Sequence, residues 1–386
     1  VGTDSLLRLI RQHPQTTRAD LARLTGLSRP AISQRVDTLI DAGLVLEAAD
    51  LPSTGGRPPS SLVFNADYGV ILVADLGATH ARLAATNLTG HVLVEVALDM
   101  DITRGPEAVL EDVAERFAEL LLELDPRGEV RAIGIGVPGP VEFATGRPVS
   151  PPLMPGWDGY SVPEHLQRHF DVPVLVDNDV NIMAVGEHRS NWQDQDDFLL
   201  VKIGTGIGCG VITGGTIYRG AQGAAGDIGH IRVAGYDHIT CVCGNTGCLE
   251  AVASGRALAK AARDLGLDAQ HGRDVVALAR ARQTDVVRLV RDSGRVLGGV
   301  LAGLVNIFNP SAIVIGGDLA DVHEELLAGV REVVYKRATP LATRNLAIAP
   351  SALGDRDGIA GAAVLAIDHL LSPAVVNSQL LAPPPA

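Results

Sequence analysis

Three of the chain's four cysteines, Cys241, Cys243 and Cys248, fall within eight positions, interleaved with Gly244 and Gly247. Glycines let the backbone fold tightly enough there for three thiolates to converge on one point. Three sulfurs leave one corner of a tetrahedral zinc site open, and His230 or His238 is near enough in sequence to fill it. A thiolate-rich set favours zinc, a redox-inert ion that suits a structural clip. Ordinary buried cysteines or a disulfide are the alternatives, although a bridge between Cys241 and Cys243 would be badly strained.

Three other stretches carry residue types that handle protons and phosphates. Val172 to Val176 predicts a strand that delivers Asp177-Asn178-Asp179-Val180-Asn181 to the start of a helix. A carboxylate at that place can take a proton from a hydroxyl. An Asx turn capping the helix explains the same residues. Asp75-Leu76-Gly77-Ala78-Thr79 ends a buried strand and turns tightly into a second, bringing backbone N–H groups and a hydroxyl to where phosphate can sit. A hairpin with a capping Asp fits as well. Gly204-Thr205-Gly206-Ile207-Gly208-Cys209-Gly210 is a glycine-rich turn between strands, either a phosphate loop or a plain hairpin. It does not precede a helix, so neither the dinucleotide-binding nor the P-loop explanation applies. Cys209 reads as a small buried residue.

Gly226-Asp227-Ile228-Gly229-His230, followed by Cys-x-Cys-Gly-x-x-Gly-Cys-x-Glu over 241–250, resembles the signature of the ROK family of sugar kinases and sugar-responsive repressors. The resemblance runs through residues 67–371 and implies an α/β, actin/hexokinase-like (ribonuclease H-like) body of two lobes. It selects His230 over His238 as the fourth zinc ligand, beside Cys241, Cys243 and Cys248. It also implies that Asp227, His230 and Glu250 face a sugar, with the metal holding their loop in shape. Asn178 matches the family's sugar ligand and Asp179 its general base, the catalytic residue if the chain is a kinase. Pro138-Gly139-Pro140 resembles the substrate loop, which puts Gly139 at the sugar.

The nucleotide positions implied by the same resemblance are Asp75, Gly77 and Thr79, then Gly204, Thr205 and Gly206, then Gly316 and Gly317 beside adenosine. ATP and magnesium belong to this chain only if kinase activity survives. Three departures weigh against that activity: Ala78 in the phosphate loop, no Asn before Gly156-Trp157, and Asp227 where the family usually has Glu. His80 also stands where family kinases usually carry Lys. Leu153 and Met154 occupy the missing Asn's neighbourhood, and neither makes such a hydrogen bond.

The elements that must position these groups follow a separate N-terminal unit. Residues 5–13 have helical apolar spacing and stop at Pro14. Thr17 opens a short helix with an N-cap pattern, and Gly26 ends it. Ser28 opens another, with Pro30 in its first turn and Gly43 at its end. Two helices joined by a Gly turn make a helix-turn-helix, whose second helix enters the major groove. Thr17, Arg18, Ser28, Arg29, Ser33, Gln34 and Arg35 are of the types that contact phosphates and base edges. Leu27, Ile32, Val36, Leu39 and Ile40 pack inward. Leu44–Leu46 and Leu62–Phe64 predict the strands of a wing around Ser53–Pro59, from which Arg57 can reach a minor groove. A winged helix used only for dimerisation, with Arg57 solvated, is the alternative.

The predicted organisation is a winged helix-turn-helix over 1–66, a small lobe over 67–178 with a returning helix at 356–371, a large lobe with the zinc loop over 179–355, and a loose Pro- and Ala-rich tail over 372–386. Within the lobes, helices are expected over 107–124, 251–265, 275–282, 285–308 and 358–371. Hydrophobic content of 46% and charged content of 20% fit a soluble globular chain. No apolar run nears the roughly 18 residues that a membrane span needs. The first ten residues lack a signal-peptide core, and cysteines clustered for metal point to the cytoplasm. A net charge of −13 argues against nucleic-acid binding by the whole chain. Residues 1–66, with seven arginines and six acids, are nearly neutral and compatible with it.

Two functions are therefore expected to compete. One is a repressor of carbohydrate-utilisation genes that binds a sugar or sugar phosphate. As a homodimer or dimer of dimers it would grip a pseudo-palindromic operator. The other is an ATP-dependent sugar kinase with an appended DNA-binding domain.

Overall fold

The computed structural model describes residues 2–48, 60–124 and 128–381. The expected wing tip, Arg57 included, and the last five residues lie outside them.

The N-terminal unit has helices α1 (Thr3–Gln12), α2 (Arg18–Thr25) and α3 (Arg29–Asp41) and strands β1 (Thr16–Thr17), β2 (Val45–Ala48) and β3 (Ser61–Phe64). The strands form an antiparallel sheet in the order β1-β3-β2. A capping box between Thr17 and Asp20 starts α2, and Gly26 ends it at φ 70, where a β-carbon is unfavourable. Ser28 caps α3, and Pro30 sits in its first turn. Of the residues expected to pack inward, Ile32, Val36 and Leu39 are buried in a core with Leu6, Leu7, Ile10 and Leu21, while Leu27 and Ile40 are half-buried against it.

The first lobe is built on β4 (Val70–Leu76), β5 (His80–Thr86), β6 (Val92–Asp99), β7 (Val130–Val137) and β10 (Val174–Asn178). It also holds α4 (Pro106–Glu123), α5 (Val162–Leu166) and a ribbon of β8 (Val141–Glu142) and β9 (Arg147–Pro148). The sheet order is β10-β7-β4-β5-β6. Then α6 (Asp179–Asn191) crosses to the second lobe, with β11 (Phe198–Ile203), β12 (Ile207–Thr213), β13 (Thr216–Ile217), α7 (Leu249–Ala253), α8 (Gly255–Asp264), α9 (Gly272–Arg280) and α10 (Thr284–Phe308). The lobe closes with β14 (Ala312–Gly316), α11 (His323–Arg337), α12 (Pro340–Thr343) and β15 (Ala347–Pro350). Its sheet order is β13-β12-β11-β14-β15.

The two sheets share one topology. In each, the first strand pairs antiparallel with the second and parallel with the fourth, and the fifth lies outside the fourth. In each, the fifth strand feeds a helix: α6 after β10, and α13 (Asp357–Leu370) after β15. These helices pack on each other between the lobes with their N-termini at the cleft. Buried Glu187 anchors α6 by accepting from the Ser351 hydroxyl at 2.8 Å and from the Ala352 and Leu353 N–H groups.

Of the loose tail expected over 372–386, the described part, residues 373–381, is ordered. Pro373–Leu381 is a helix, α14. Its Val376 is fully buried in the core of the N-terminal unit, with Leu380 packed against it. The Pro- and Ala-rich composition masked a short apolar face. Phe64, Tyr68 and Leu371 touch both this core and the apolar layer around α13, so the two are continuous. Residues 251–265, expected as one helix, belong to α7 and α8, broken at Ser254, whose hydroxyl caps α8.

Candidate functional site

The space between the lobes is a cleft with a cavity of about 530 Å³, a size that holds a small molecule. Asp75 reaches it from the end of β4, Lys202 from the end of β11, Asp179 from the N-terminus of α6 and Asp357 from that of α13. Lys202 Nζ lies 2.6 Å from Asp179 Oδ2, and the other Asp179 oxygen accepts the Val180 N–H at 2.9 Å. Burial alone would lower the Lys202 ammonium, but the charges of Asp179 and Asp75 outweigh it and hold it above its ordinary value. Burial pushes Asp75 up to about 6, against the pull of Lys202. Asp357 is pushed well above the carboxylate range by burial and then by Asp75.

On the expected sugar side, Asn178 caps α6: its side-chain oxygen accepts from Val180 N at 2.9 Å and Asn181 N at 3.3 Å. Its amide nitrogen donates to the Gly139 carbonyl at 3.0 Å. The Asx turn is thus present, and one amide hydrogen of Asn178 stays available for another partner. Gly139, Asp227, His230 and Glu250 all line the same cavity. Asp227 is exposed, whereas Glu250 is buried, bound to Arg256 at 2.9 Å and to the Ile207 N–H at 3.3 Å. Leu153 lines the cleft, while Met154 and Trp157 point into the core, so this part of the wall is apolar.

Of the expected nucleotide residues, Asp75, Gly77, Gly204, Thr205, Gly206 and Gly317 line the cleft. Thr79 is exposed outside the lining, and Gly316 is buried within β14, paired with Lys202. A β-carbon on Gly206 would come within 2.3 Å of a Glu250 oxygen, so this glycine lets the loop pack closely against Glu250. Neither Lys202 nor Asp357 falls within one of the sequence motifs. Lys202 had a signal: it is the one charge in the apolar strand Phe-Leu-Leu-Val-Lys-Ile. Asp357 had none beyond preceding a predicted helix.

The thiols converge. Ligand atoms of His230, Cys241, Cys243 and Cys248 all lie within 4.8 Å of one another, so the cluster can bind a metal ion. Cys243 and Cys248 sulfurs are 3.7 Å apart, and the Cys241 sulfur is 3.7 Å from His230 Nδ1. Metal–sulfur bonds of about 2.3 Å in a tetrahedron require sulfurs about 3.8 Å apart. His230 therefore turns Nδ1 to the thiols while its ring borders the cleft. His238 stacks on Tyr236 instead. Cys209 is buried, its thiol pushed up to about 12 by desolvation, and is not reactive.

In the N-terminal unit, Arg29 and Gln34 are exposed on α3, with Ser33 and Arg35 half-buried beside them. Ser28 accepts the Ala31 N–H at 3.4 Å, and the Thr17 hydroxyl accepts the Asp20 N–H at 3.1 Å, so both also serve as caps. Arg18 pairs with Asp37 at 2.7 Å and with Glu47, which makes it a brace between α2, α3 and β2.

Residues 71–369 match the family model described as ROK family, and residues 5–45 match that of a winged helix-turn-helix DNA-binding domain. The chain is 33% identical over 384 residues, 95% of each sequence, to a putative xylose repressor of Caldicellulosiruptor sp. (strain Rt8B.4). It superposes with TM-score 0.82 and 26% identity, over 98% of both chains, on a ROK family transcriptional regulator, a homologue of the E. coli MLC protein. With TM-score 0.69 and 29% identity, 77% of this chain covers 99% of a ROK family glucokinase from Streptomyces griseus solved with glucose and AMPPNP.

Proposed function

The chain belongs to the ROK family, and from that premise we propose that a sugar in the interlobe cleft sets the grip of its winged helix on operator DNA. The protein is a sugar-responsive, DNA-binding transcriptional repressor. Asn178, Asp179, Asp227, His230 and Glu250 are its sensor, with the hydroxyls of the sugar replacing water on their polar atoms. Zinc on His230, Cys241, Cys243 and Cys248 holds the sensor loop in shape. Residues 1–66 are the reading head, with Arg29, Ser33, Gln34 and Arg35 toward the major groove and Arg57 on the wing. Residues 67–178 with 356–371, and 179–355, are the two lobes.

One observation carries the coupling. The chain from Asp357 in the cleft to Val376 in the winged-helix core is two consecutive helices, α13 and α14, broken only at 371–372. A lobe rotation that moves α13 must move α14 or tear it from that core. The sugar shifts the equilibrium only as far as it prefers one lobe arrangement, so its differential affinity is the whole driving force. Two such chains, as a homodimer, present two winged helices to the half-sites of a pseudo-palindrome, and the lobe angle sets their spacing. As a DNA-binding regulator, the chain works in the cytoplasm beside its operator. Among the described residues, no helix is long and apolar enough to cross a membrane.

Fluorescence anisotropy of labelled promoter DNA with the full chain, titrated with a panel of pentoses, hexoses and their phosphates, tests this. Relatives named xylose repressor make xylose the first sugar to try. One sugar should change DNA affinity by about 5–150-fold, the span of ordinary allosteric coupling. A sugar that binds the cleft tightly and leaves DNA affinity untouched would refute the switch.

A further inference from the structure

Lys202 and Asp75 occupy matching places in the two sheets. Each is the next-to-last residue of its sheet's first strand. Asp75 stands opposite Gly136 on β7, and Lys202 stands opposite Gly316 on β14. The helices that follow the fifth strands bring Asp179 and Asp357 to the same point, so three carboxylates from three elements surround one ammonium. Its contact with Asp179 is direct, at 2.6 Å, and the two side chains are only 17% and 7% exposed. One Asp75 oxygen, buried, has no hydrogen-bond partner among the described residues.

Phosphoryl transfer from a nucleotide needs a divalent cation on the phosphates and a carboxylate free to orient or deprotonate the attacking hydroxyl. A magnesium ion keeps near-ideal octahedral coordination and several of its waters, so it needs room between the carboxylates. Here that room holds the Lys202 ammonium, and a metal beside it would face a like charge. Asp179, the expected base, already accepts from Lys202 and from the Val180 N–H. The residues present therefore do not fit a metal nucleotide.

We infer that Lys202 is a tethered counter-ion standing in the place of the divalent cation, so that this cleft senses its sugar without metal nucleotide and without phosphoryl transfer. This rests on the sugar-sensing reading of the same cleft and names what distinguishes it from a kinase site. The lysine holds Asp179 in place as an acceptor for a sugar hydroxyl, an orienting role. It also holds α6 and β11 together at the hinge side of the cleft with no nucleotide bridging the lobes.

Isothermal titration of the zinc-loaded full chain with AMPPNP, with and without magnesium, is the first test. Magnesium should leave the wild-type affinity unchanged within about twofold, because the cation site is filled. Tightening by roughly tenfold or more would overturn the proposal. The second test uses Lys202→Met, which keeps the stem and removes the charge, with Lys202→Arg as the charge-retaining control. Lys202→Met should acquire magnesium-dependent AMPPNP binding at least about tenfold tighter than wild type, and Lys202→Arg should not. A folded Lys202→Met that gains nothing would also overturn the proposal, and if it fails to fold the wild-type arm still decides. Failure of the sugar-sensing reading appears elsewhere, in the anisotropy titration, and leaves these nucleotide results unchanged.

Discussion

A β-carbon on Gly361 of α13 would stand 1.6 Å from the carbonyl oxygen of Ile182 on α6. The contact is reciprocal, since one on Gly186 of α6 would come within 2.2 Å of the Asp357 carbonyl. The two interlobe helices thus cross backbone against backbone. Arg189 on α6 adds an ion pair to Asp368 on α13 at 2.7 Å. Helices this close leave little room for one to shift without the other, which is the coupling that the proposed switch needs.

Gly361→Ala should therefore force the helices apart and lower stability by about 1–3 kcal/mol, the usual range for overpacking. Gly299→Ala is the contrast. Gly299 lies in α10 with nothing within 4 Å of its would-be side chain. There the gain in helix propensity, about 1 kcal/mol, should dominate and the protein should become more stable. Denaturant midpoints of the two variants decide it. Equal shifts in the same direction would mean that the crossing is not tightly packed.

Removing the metal should separate the two ends of the molecule. The cysteine–histidine cluster lies on the loop between β13 and α7, which lines the cleft, and shares no residue with the winged-helix core. Cys248→Ser takes one ligand from a site whose geometry suits zinc, and His230 loses the clamp on its ring. Metal content by mass spectrometry should drop, and sugar affinity should weaken by about 10–100-fold, as loosening the groups around a metal site commonly does. Operator affinity without sugar should stay within about twofold, because the DNA-binding unit is intact. A variant that retains full sugar affinity without metal would remove the clip from the sensing mechanism.

Much of this was legible in the chain itself. The cysteine spacing led to a converging cluster because five glycine and cysteine positions leave few ways to fold ten residues. Helix starts were readable because caps such as Thr17, Ser28 and Asn178 act through their immediate neighbours. Lys202 was not recognised, because its meaning lies in Asp179, Asp75 and Asp357, which are distant in sequence and meet only when the two sheets face each other. The repeated sheet topology was equally hidden, since β4 and β11 share a place in the fold but almost no sequence. The end of the chain misled for the opposite reason: its composition is that of a tail, and only the core of a unit more than 300 residues earlier makes Val376 a buried residue.

That last residue provides the sharpest test of coupling. Val376→Ala opens a small cavity between α14 and the core formed by Leu6, Leu7, Ile10 and Leu39, at a cost of about 2 kcal/mol to that packing. The cleft is untouched, so sugar affinity measured without DNA should be unchanged. If α14 transmits the state of α13, the factor by which sugar alters operator affinity should shrink by about fivefold, equivalent to about 1 kcal/mol of lost coupling. Linkage requires the factor by which operator DNA alters sugar affinity to shrink equally, so two independent titrations must agree. Circular dichroism melts would establish that the winged helix is still folded under the assay conditions. A loosened α14 together with an undiminished coupling factor would show that the signal reaches the DNA by another path, through the strand β3 and Tyr68 rather than through the last helix.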